Sequence, residues 1–302
     1  MTRLYSIVIS TKNNRSTIKF VLKSTLLLAE VHSTELIVVD GQSTDGTVDI
    51  IRAFMQQHKA KYMETQIIQD PGISLSYSRH IGYKHSRGDI LIFLDGDILI
   101  TASFRQYLQQ ELNDSDLIAP LYEILPLDKA TKTFAHFAKV VINIQNKSNR
   151  LFDPSILTQA RIYRRHVLEK IGGYPPFSKF YGEDRIMTAL AIRLGFRYKL
   201  SQRLKLIKID DPGFMAYWKK HYRYGCGISR DLSKLGKQLL RGYIIARNIS
   251  YINLILPIFT LFYIININQI QRSTKSFLNI ILMKYLVDLS MLVGNIKGLF
   301  EK

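Results

Sequence analysis

Along the first third of the chain, short apolar runs alternate with stretches whose apolar residues recur at helical spacing. Tyr5 to Ile9 is a short β-branched run, and Ser16 to Ala29 follows with a helical period, which predicts strand then helix. Glu35 to Val39 is a second buried-strand pattern that ends at Asp40. After a turn of Gly, Ser and Thr, Val48 to His58 returns to helical spacing. Tyr62 to Gln69, Ser76 to His85 and Ile90 to Leu94 continue the series as strand, helix and strand, the last stopping at Asp95-Gly96-Asp97. A β-α-β-α order predicts an α/β fold with a mostly parallel central sheet and flanking helices. Ligands of such sheets bind beyond the carboxyl ends of the strands, where Asp40, Asp95 and Asp97 stand.

The pattern changes beyond Gly213. Trp218, Lys219, Lys220, His221, Tyr222, Arg223 and Tyr224 form an aromatic and basic cluster, followed by Arg230, Lys234, Lys237, Arg241 and Arg247. Ile249 to Ile265 is almost wholly apolar and just short of a clear bilayer span. Phe277 to Phe300 is a second apolar segment in which Lys284 and Asp288, one helical turn apart, share a face; that pattern favours amphipathic helices lying on a membrane. A two-span hairpin would translocate Arg272 and Lys275 against the positive-inside tendency. Buried dimer helices are the soluble alternative, so a homo-oligomer stays open. The expected organisation is a catalytic domain over 1–225 and a basic, hydrophobic, helical tail for membrane association over 226–302.

Charge sharpens this picture. A formal charge of +18 and a pI of about 9.8 call for an anionic partner: nucleic acid, phospholipid headgroups or a phosphorylated substrate. Interleaved aromatic and basic residues suit single-stranded nucleic acid as well as a membrane interface, but a soluble nucleic-acid binder has little use for the apolar segment that follows. The expectation is a membrane surface and no nucleic acid. Cys226 is the single cysteine, which excludes an intramolecular disulfide framework and a cysteine-based zinc site. The chain starts without an apolar stretch of signal-peptide length, so the expected location is the cytoplasmic face of the membrane.

Two acidic motifs carry candidate chemistry. Asp40-Gly41-Gln42-Ser43-Thr44-Asp45-Gly46-Thr47 joins a strand to a helix. Its hydroxyl and acidic residues serve either as helix caps or, with Asp40 on a rigid strand end, as acceptors for a base or ribose. Asp95-Gly96-Asp97 sets two carboxylates around a small residue after a buried strand, where like charges need a reason to be close. A divalent cation, Mg²⁺ or Mn²⁺, supplies one, since it takes hard oxygen ligands and substrate phosphates. Arg79, His80 and Arg87 are cations suited to a diphosphate bound to that metal.

Tyr5 to Thr11, Val38-Val39-Asp40 with Ser43 and Asp45-Gly46-Thr47, Ser78-Arg79, Gly82, and Gly88 to Asp97 together resemble the family 2 glycosyltransferases. Gly172-Gly173-Tyr174-Pro175 and Gly182-Glu183-Asp184 extend the resemblance to residues 4–225. It implies a GT-A fold, a nucleotide-diphosphate-sugar donor contacted by Thr11, Asp40, Asp45, Arg79 and Asp95, and a metal held through Asp95 and Asp97. It also implies transfer with inversion, which needs a general base opposite the leaving diphosphate. Asp184 is the candidate base, with aromatic neighbours to desolvate it, and Glu183 is placed to orient the acceptor or contact the sugar. The plain alternative for both is favourable charge in a first helical turn, before Ile186 to Leu194.

The chain departs from the family pattern at His80, where an Asn commonly follows the arginine, and at Ile207 to Asp211, where many relatives carry a histidine. There Asp210 is a candidate third metal ligand, though Asp211-Pro212-Gly213 reads equally as a turn. The basic, apolar tail points to a lipid-linked acceptor, either a polyprenyl phosphate or a growing glycan. Two other classes fit less well. A metal-dependent nucleotidyltransferase would leave Glu183-Asp184 without a role, and a non-catalytic nucleic-acid binder would leave Asp95, Asp97 and Asp184 unexplained.

Overall fold

The computed structural model describes residues 4–30, 32–126, 160–175 and 183–210, with 218–219, 221–223, 225–226, 285–286, 289–294, 296–297 and 300 in the C-terminal region. The chain divides into two compact units. One comprises Met1–Leu125, Thr158–Lys179 and Glu183–Ile209; the other comprises Pro126–Leu157, Phe180–Gly182 and Asp210–Lys302.

The first unit is built on an eight-stranded sheet: β1 (Tyr5–Thr11), β2 (Thr34–Asp40), β3 (Glu64–Gln69), β4 (Ile90–Asp95), β5 (Ile98–Ile100), β6 (Leu117–Pro126), β7 (Ile162–Arg164) and β8 (Tyr198–Asp210). Their spatial order is β3-β2-β1-β4-β7-β6-β8-β5. The first four strands pair in parallel, as expected. Helices α1 (Ile18–Thr25), α2 (Thr47–His58) and α3 (Leu75–His85) make the crossovers. Beyond β4 the pairing turns antiparallel: β7 joins β4 and β6, and β5 joins β8. Helices α4 (Ala102–Asn113), α5 (Arg165–Ile171) and α6 (Glu183–Arg193) complete this half.

Both faces of the parallel strands are covered, so β2 is buried at all seven positions and β1 at all but Tyr5. The strand period of two divides their side chains between two cores. Ile7, Ile9, Leu36 and Val38 pack with Ile18, Leu22, Ile51 and Phe54 of α1 and α2. Val8, Leu91 and Phe93 pack with Tyr83, Tyr163, Val167 and Tyr174 on the α3 side. Each such burial contributes about 1.5–3 kcal/mol against exposure. Gly82 lets α3 lie close to the sheet, because a Cβ there would run into Val8 Cγ1.

The parallel register decides where the chemistry sits. Thr11 pairs with Asp40, Asp40 with Gln69, and Ser10 with Asp95, so one row of polar residues crosses the carboxyl ends of β3, β2, β1 and β4.

In the second unit the described residues from Trp218 onward are helical. Among the described residues no helix is long and apolar enough to cross a membrane. The segments Lys129 to Leu157 and Ile249 to Ile265, the cations Arg230 to Arg247, Lys284 and Asp288, and residues 211–217 lie outside the described residues.

Candidate active site

The loops after β1 and β2 are stitched together at the carboxyl edge. Asn13 N–H donates to Ser43 Oγ at 2.8 Å, Thr44 N–H to Asn13 Oδ1 at 2.9 Å, and Asn14 N–H to Thr47 Oγ1 at 2.9 Å. Asn13 (φ 53°) and Gln42 (φ 62°) are the non-glycine residues with positive φ among the described residues, and both lie here. Left-handed non-glycine backbone is costly and persists where surrounding bonds fix it.

This network changes the expectation for Asp40 and Asp45. Asp40 is fully buried and its oxygens accept from Ser43 N–H at 2.9 Å and Ser43 Oγ–H at 2.5 Å. These bonds shape the turn and take one acceptor site on each Asp40 oxygen. Asp45 accepts from Thr47 N–H and Oγ–H and from Arg15 N–H. Slight burial opposes its charge, but the bonds from Thr47 and Arg15 outweigh it and hold the carboxyl below its usual range. The N-cap of α2 is Gly46, with no side-chain cap hydrogen bond, so both acids brace the turn before the helix. Thr11 is buried and donates to Asn14 Oδ1 at 3.0 Å.

Gly96 sits against that pair: a Cβ there would lie 2.5 Å from Asn14 Oδ1 and 2.7 Å from Thr11 Oγ1. Its N–H donates to Ser10 O at 3.0 Å and its carbonyl accepts from Thr17 Oγ–H at 2.6 Å, which fixes the turn between Asp95 and Asp97. Gly96→Ala is therefore expected to destabilise the fold by about 1–3 kcal/mol through overpacking. Denaturant unfolding measures this, and a loss under about 0.5 kcal/mol would show that Thr11 and Asn14 yield freely.

At the centre of the site lies a buried charge cluster. Arg79, on α3, is wholly buried. Its Nη2 donates to Asp95 Oδ1 at 2.6 Å, and its Nη1 to Asp184 Oδ1 at 2.5 Å and to Glu183 Oε1. Arg161, just before β7, brackets the same carboxylates from the other side. Its Nη1 and Nη2 meet Asp95 Oδ1 and Oδ2 at 3.3 and 3.2 Å, and Nη2 lies 3.3 Å from Asp184 Oδ2. Nε of Arg161 donates to Tyr122 Oη at 2.7 Å. The strand-end acid and the helix-start acids, remote in sequence, are thus joined by two guanidiniums.

Burial sets the proton affinities here. It works against a charged Asp95, but Arg161, Arg79 and Lys208 outweigh it and hold that carboxyl well below the usual carboxylate range. Burial pushes Glu183 up to about 7, with the Asp184 charge adding to the rise and Arg79 opposing it. Both arginines are held more firmly protonated than usual, since Asp184 and Asp95 outweigh the desolvation of each.

The glycine pair after α5 delivers Tyr174 into this cluster. Gly172 (φ 89°) and Gly173 (φ 79°) both turn left-handed, and a Cβ on Gly173 would lie 2.7 Å from the Tyr83 ring. The tyrosine carbonyl accepts from His80 Nδ1–H at 2.6 Å, and Pro175 O accepts from Ser76 Oγ–H. Tyr174 then lies with its ring centroid 5.6 Å from Arg79 Cζ and its hydroxyl 3.4 Å from Asp184 Oδ1.

Helix α6 starts at Glu183, so both acids occupy its first turn, where the helix dipole favours negative charge. Thr188 Oγ–H caps Asp184 O at 2.8 Å while accepting from Ala160 N–H at 3.1 Å, tying this turn to the strand entry that carries Arg161.

Asp97 lies apart from the arginines. Its Oδ2 pairs with Lys208 Nζ at 3.1 Å, and its Oδ1 is buried without a hydrogen-bond partner among the described residues. Its backbone carbonyl accepts from Ile209 N–H at 2.8 Å. Asp210 closes β8, but its side chain is outside the described residues. Among the described residues no three His, Cys, Asp or Glu converge as a metal-holding group.

Of the cations expected to face a diphosphate, Arg79 is instead engaged by three carboxylates. Arg87 precedes β4 at the amino end of the strand, where it pairs with Glu35 and Glu64, because α3 has carried the chain back across the sheet. His80 is committed to Tyr174 O through Nδ1. Arg161 and Tyr122 were missed from sequence. The one available signal was an arginine heading the apolar pair Ile162-Tyr163, a pattern shared by many strand entries.

An α/β domain with paired acids at the carboxyl ends of parallel strands, joined to a helix-borne acidic pair, defines the class of architecture. The sequence model of "Glycosyl transferase family 2" matches residues 6–172. That is more than half of the chain, and the chain belongs to this family. The probable glycosyltransferase YdaM of Bacillus subtilis is 22% identical over 230 residues, covering 74% of this chain and 54% of that protein. The uncharacterized glycosyltransferase alr2836 of Nostoc sp. is 26% identical over 217 residues, covering 68% and 64% respectively. The chain thus spans less than two thirds of the length of these relatives. Among solved structures, the mannosyltransferase PcManGT from Pyrobaculum calidifontis, in complex with GDP-Man and Mn²⁺, superposes with a TM-score of 0.67 at 12% identity, covering 100% of this chain and 88% of that one. S. aureus TarS 1-349 in complex with UDP-GlcNAc gives a TM-score of 0.52 at 15% identity, covering 95% and 91%. At these identities the likeness establishes the GT-A fold.

Proposed function

We propose that this chain transfers a sugar from a nucleoside-diphosphate-sugar donor to an acceptor hydroxyl, with inversion, at the cytoplasmic face of a membrane. One observation carries the reading: Arg79 and Arg161 bring the strand-end acid Asp95 and the helix-start acid Asp184 into a single buried cluster. Donor-side and acceptor-side carboxylates must lie this close for direct displacement. The donor class follows the family and is in keeping with the GDP-Man and UDP-GlcNAc held by the structural neighbours.

Asp184 is the general base of this scheme. Among the described residues its Oδ2 accepts only the 3.3 Å contact from Arg161, which leaves lone-pair capacity for a hydroxyl proton. The residues also fit a divalent cation. Asp97 Oδ1 is a buried oxygen, unpartnered among the described residues, of the hard type that Mg²⁺ and Mn²⁺ prefer, whereas both oxygens of Asp95 are engaged by guanidiniums. Asp97 would hold the metal, with Asp210 as the further candidate. When bound, the metal supplies charge that stabilises the leaving diphosphate. The acceptor is lipid-linked, a reading supported by the basic and apolar sequence after residue 209.

Calorimetric titration with nucleoside diphosphates and sugar nucleotides, in Mn²⁺ and then in chelator, tests the proposal. One nucleotide is expected to bind in a metal-dependent way, and Asp97→Asn is expected to remove at least tenfold of that affinity. Equal affinity with and without metal, in both proteins, would overturn the metal assignment.

A further inference from the structure

The second unit pairs its helical residues in an order opposite to that of a water-soluble helix pair. Trp218, Tyr222 and Cys226 are spaced four apart and form one stripe, as do Ser290 and Gly294. These stripes meet. Ser290 Oγ–H donates to Trp218 O at 2.7 Å. A Cβ on Gly294 would collide with the Tyr222 carbonyl oxygen and lie 2.9 Å from its carbonyl carbon and 3.1 Å from Cys226 N. Backbone therefore touches backbone through a serine and a glycine, and both residues are buried. On a different face of the same turns, Val293, Ile296 and Phe300 stand at i, i+3 and i+7 and are 43%, 49% and 84% exposed. Tyr285 adds a further exposed aromatic ring at 44%.

Helices in water bury their large apolar residues and leave small and polar ones outside. Helices in lipid do the reverse: small residues and interhelical hydrogen bonds form the contact while the branched and aromatic side chains face hydrocarbon. We infer that the Val293–Ile296–Phe300 face is a lipid-binding surface that seats the second unit in the interfacial layer of an anionic bilayer. Charge selects the lipid. After residue 209 the sequence carries 13 Lys and Arg against five Asp and Glu. Lys219 and Arg223, one turn apart, are exposed. Such a surface is attracted to anionic headgroups and repels a second copy of itself, which disfavours a dimer through the same face. The inference deepens the membrane location proposed above by naming the surface that makes the contact, and it does not depend on the catalytic assignments.

Flotation of the full chain with phosphatidylcholine vesicles, alone or containing 30% phosphatidylglycerol (about a third anionic, enough to attract juxtamembrane basic residues), tests it. The wild type is expected to float with the anionic vesicles and to retain part of its binding in high salt, because the apolar contact is not screened. Val293→Asp/Ile296→Asp is expected to reduce the bound fraction at least tenfold with an unchanged thermal midpoint and unchanged nucleotide affinity. Phe300→Ser, a change at the most exposed position, is expected to reduce it severalfold in the same direction. Undiminished flotation of the double variant would overturn the assignment. So would a concentration-dependent dimer that the double variant dissociates while vesicle binding persists, because the face would then join two copies. Nucleotide binding, read separately on the same samples, reports on the catalytic proposal alone.

Discussion

Arg79→Met lowers stability by about 3–5 kcal/mol, the cost expected when one partner of a buried ion cluster is removed and the others remain. The guanidinium is wholly buried and bonds to Asp95, Glu183 and Asp184. Methionine matches much of its length but donates nothing, so the buried Glu183 and Asp184 and the part-buried Asp95 would be left with Arg161 as their nearest cation. Arg161 reaches Asp95 and Asp184 at 3.2–3.3 Å. Glu183, already pushed up to about 7 by burial and by Asp184, would take a proton first and recover part of the loss. Arg79→Lys separates charge from geometry. A lysine keeps the positive charge but cannot present the planar fork that spans Asp95 on one side and Asp184 on the other, so about half the loss should remain. Denaturant unfolding measures both variants. A loss under about 1 kcal/mol for the methionine variant would mean that the carboxylates disperse or protonate without strain, and that Arg79 is no keystone of the cluster.

The parallel half of the fold was legible because its signal is local. Val8 and Phe93 face one core while Ile7, Ile9 and Leu94 face the other, and the strand ends are punctuated by Asp40 and Asp95. Such runs bounded by turn residues leave little choice of element. The antiparallel half carried no comparable signal. Ile98–Ile100 is three residues long and becomes a strand because β8 pairs with it, and Ile162–Arg164 because β4 and β6 flank it. Tertiary pairing of that kind is invisible to a window read along the chain.

The site shows the same division. Asp95, Asp97, Glu183 and Asp184 were recognisable as carboxylates in special places, but what holds them was not. An arginine read from sequence looks like a surface cation or a phosphate ligand, whereas Arg79 and Arg161 are buried between acids contributed by α6 and β4. Asp40 and Asp45 are each bonded by a hydroxyl three or two residues downstream, a local contact that the sequence alone does not distinguish from a role at the donor.

Asp184→Asn is expected to reduce transfer about 10²–10⁴-fold, the contribution of a positioned general base. The substitution is nearly isosteric. The amide oxygen can still accept from Arg79, and if it takes the Oδ1 position the amide nitrogen faces Arg161 and has no proton affinity to offer an acceptor hydroxyl. Nucleotide binding in the presence of metal should change less than about twofold, because Asp95 keeps both guanidiniums and Asp97 is untouched. That separation of turnover from donor affinity is the signature of a residue that acts in the chemical step. Steady-state transfer assays and calorimetry on the same preparation measure the two quantities. Wild-type turnover in the variant would move the role of base to Glu183. Its carboxyl, pushed up to about 7, is nearer the affinity that proton abstraction at neutral pH requires. Glu183→Gln would then abolish transfer. If instead Glu183→Gln leaves turnover within an order of magnitude while Asp184→Asn removes it, Glu183 serves to hold Arg79 in place and Asp184 alone takes the proton.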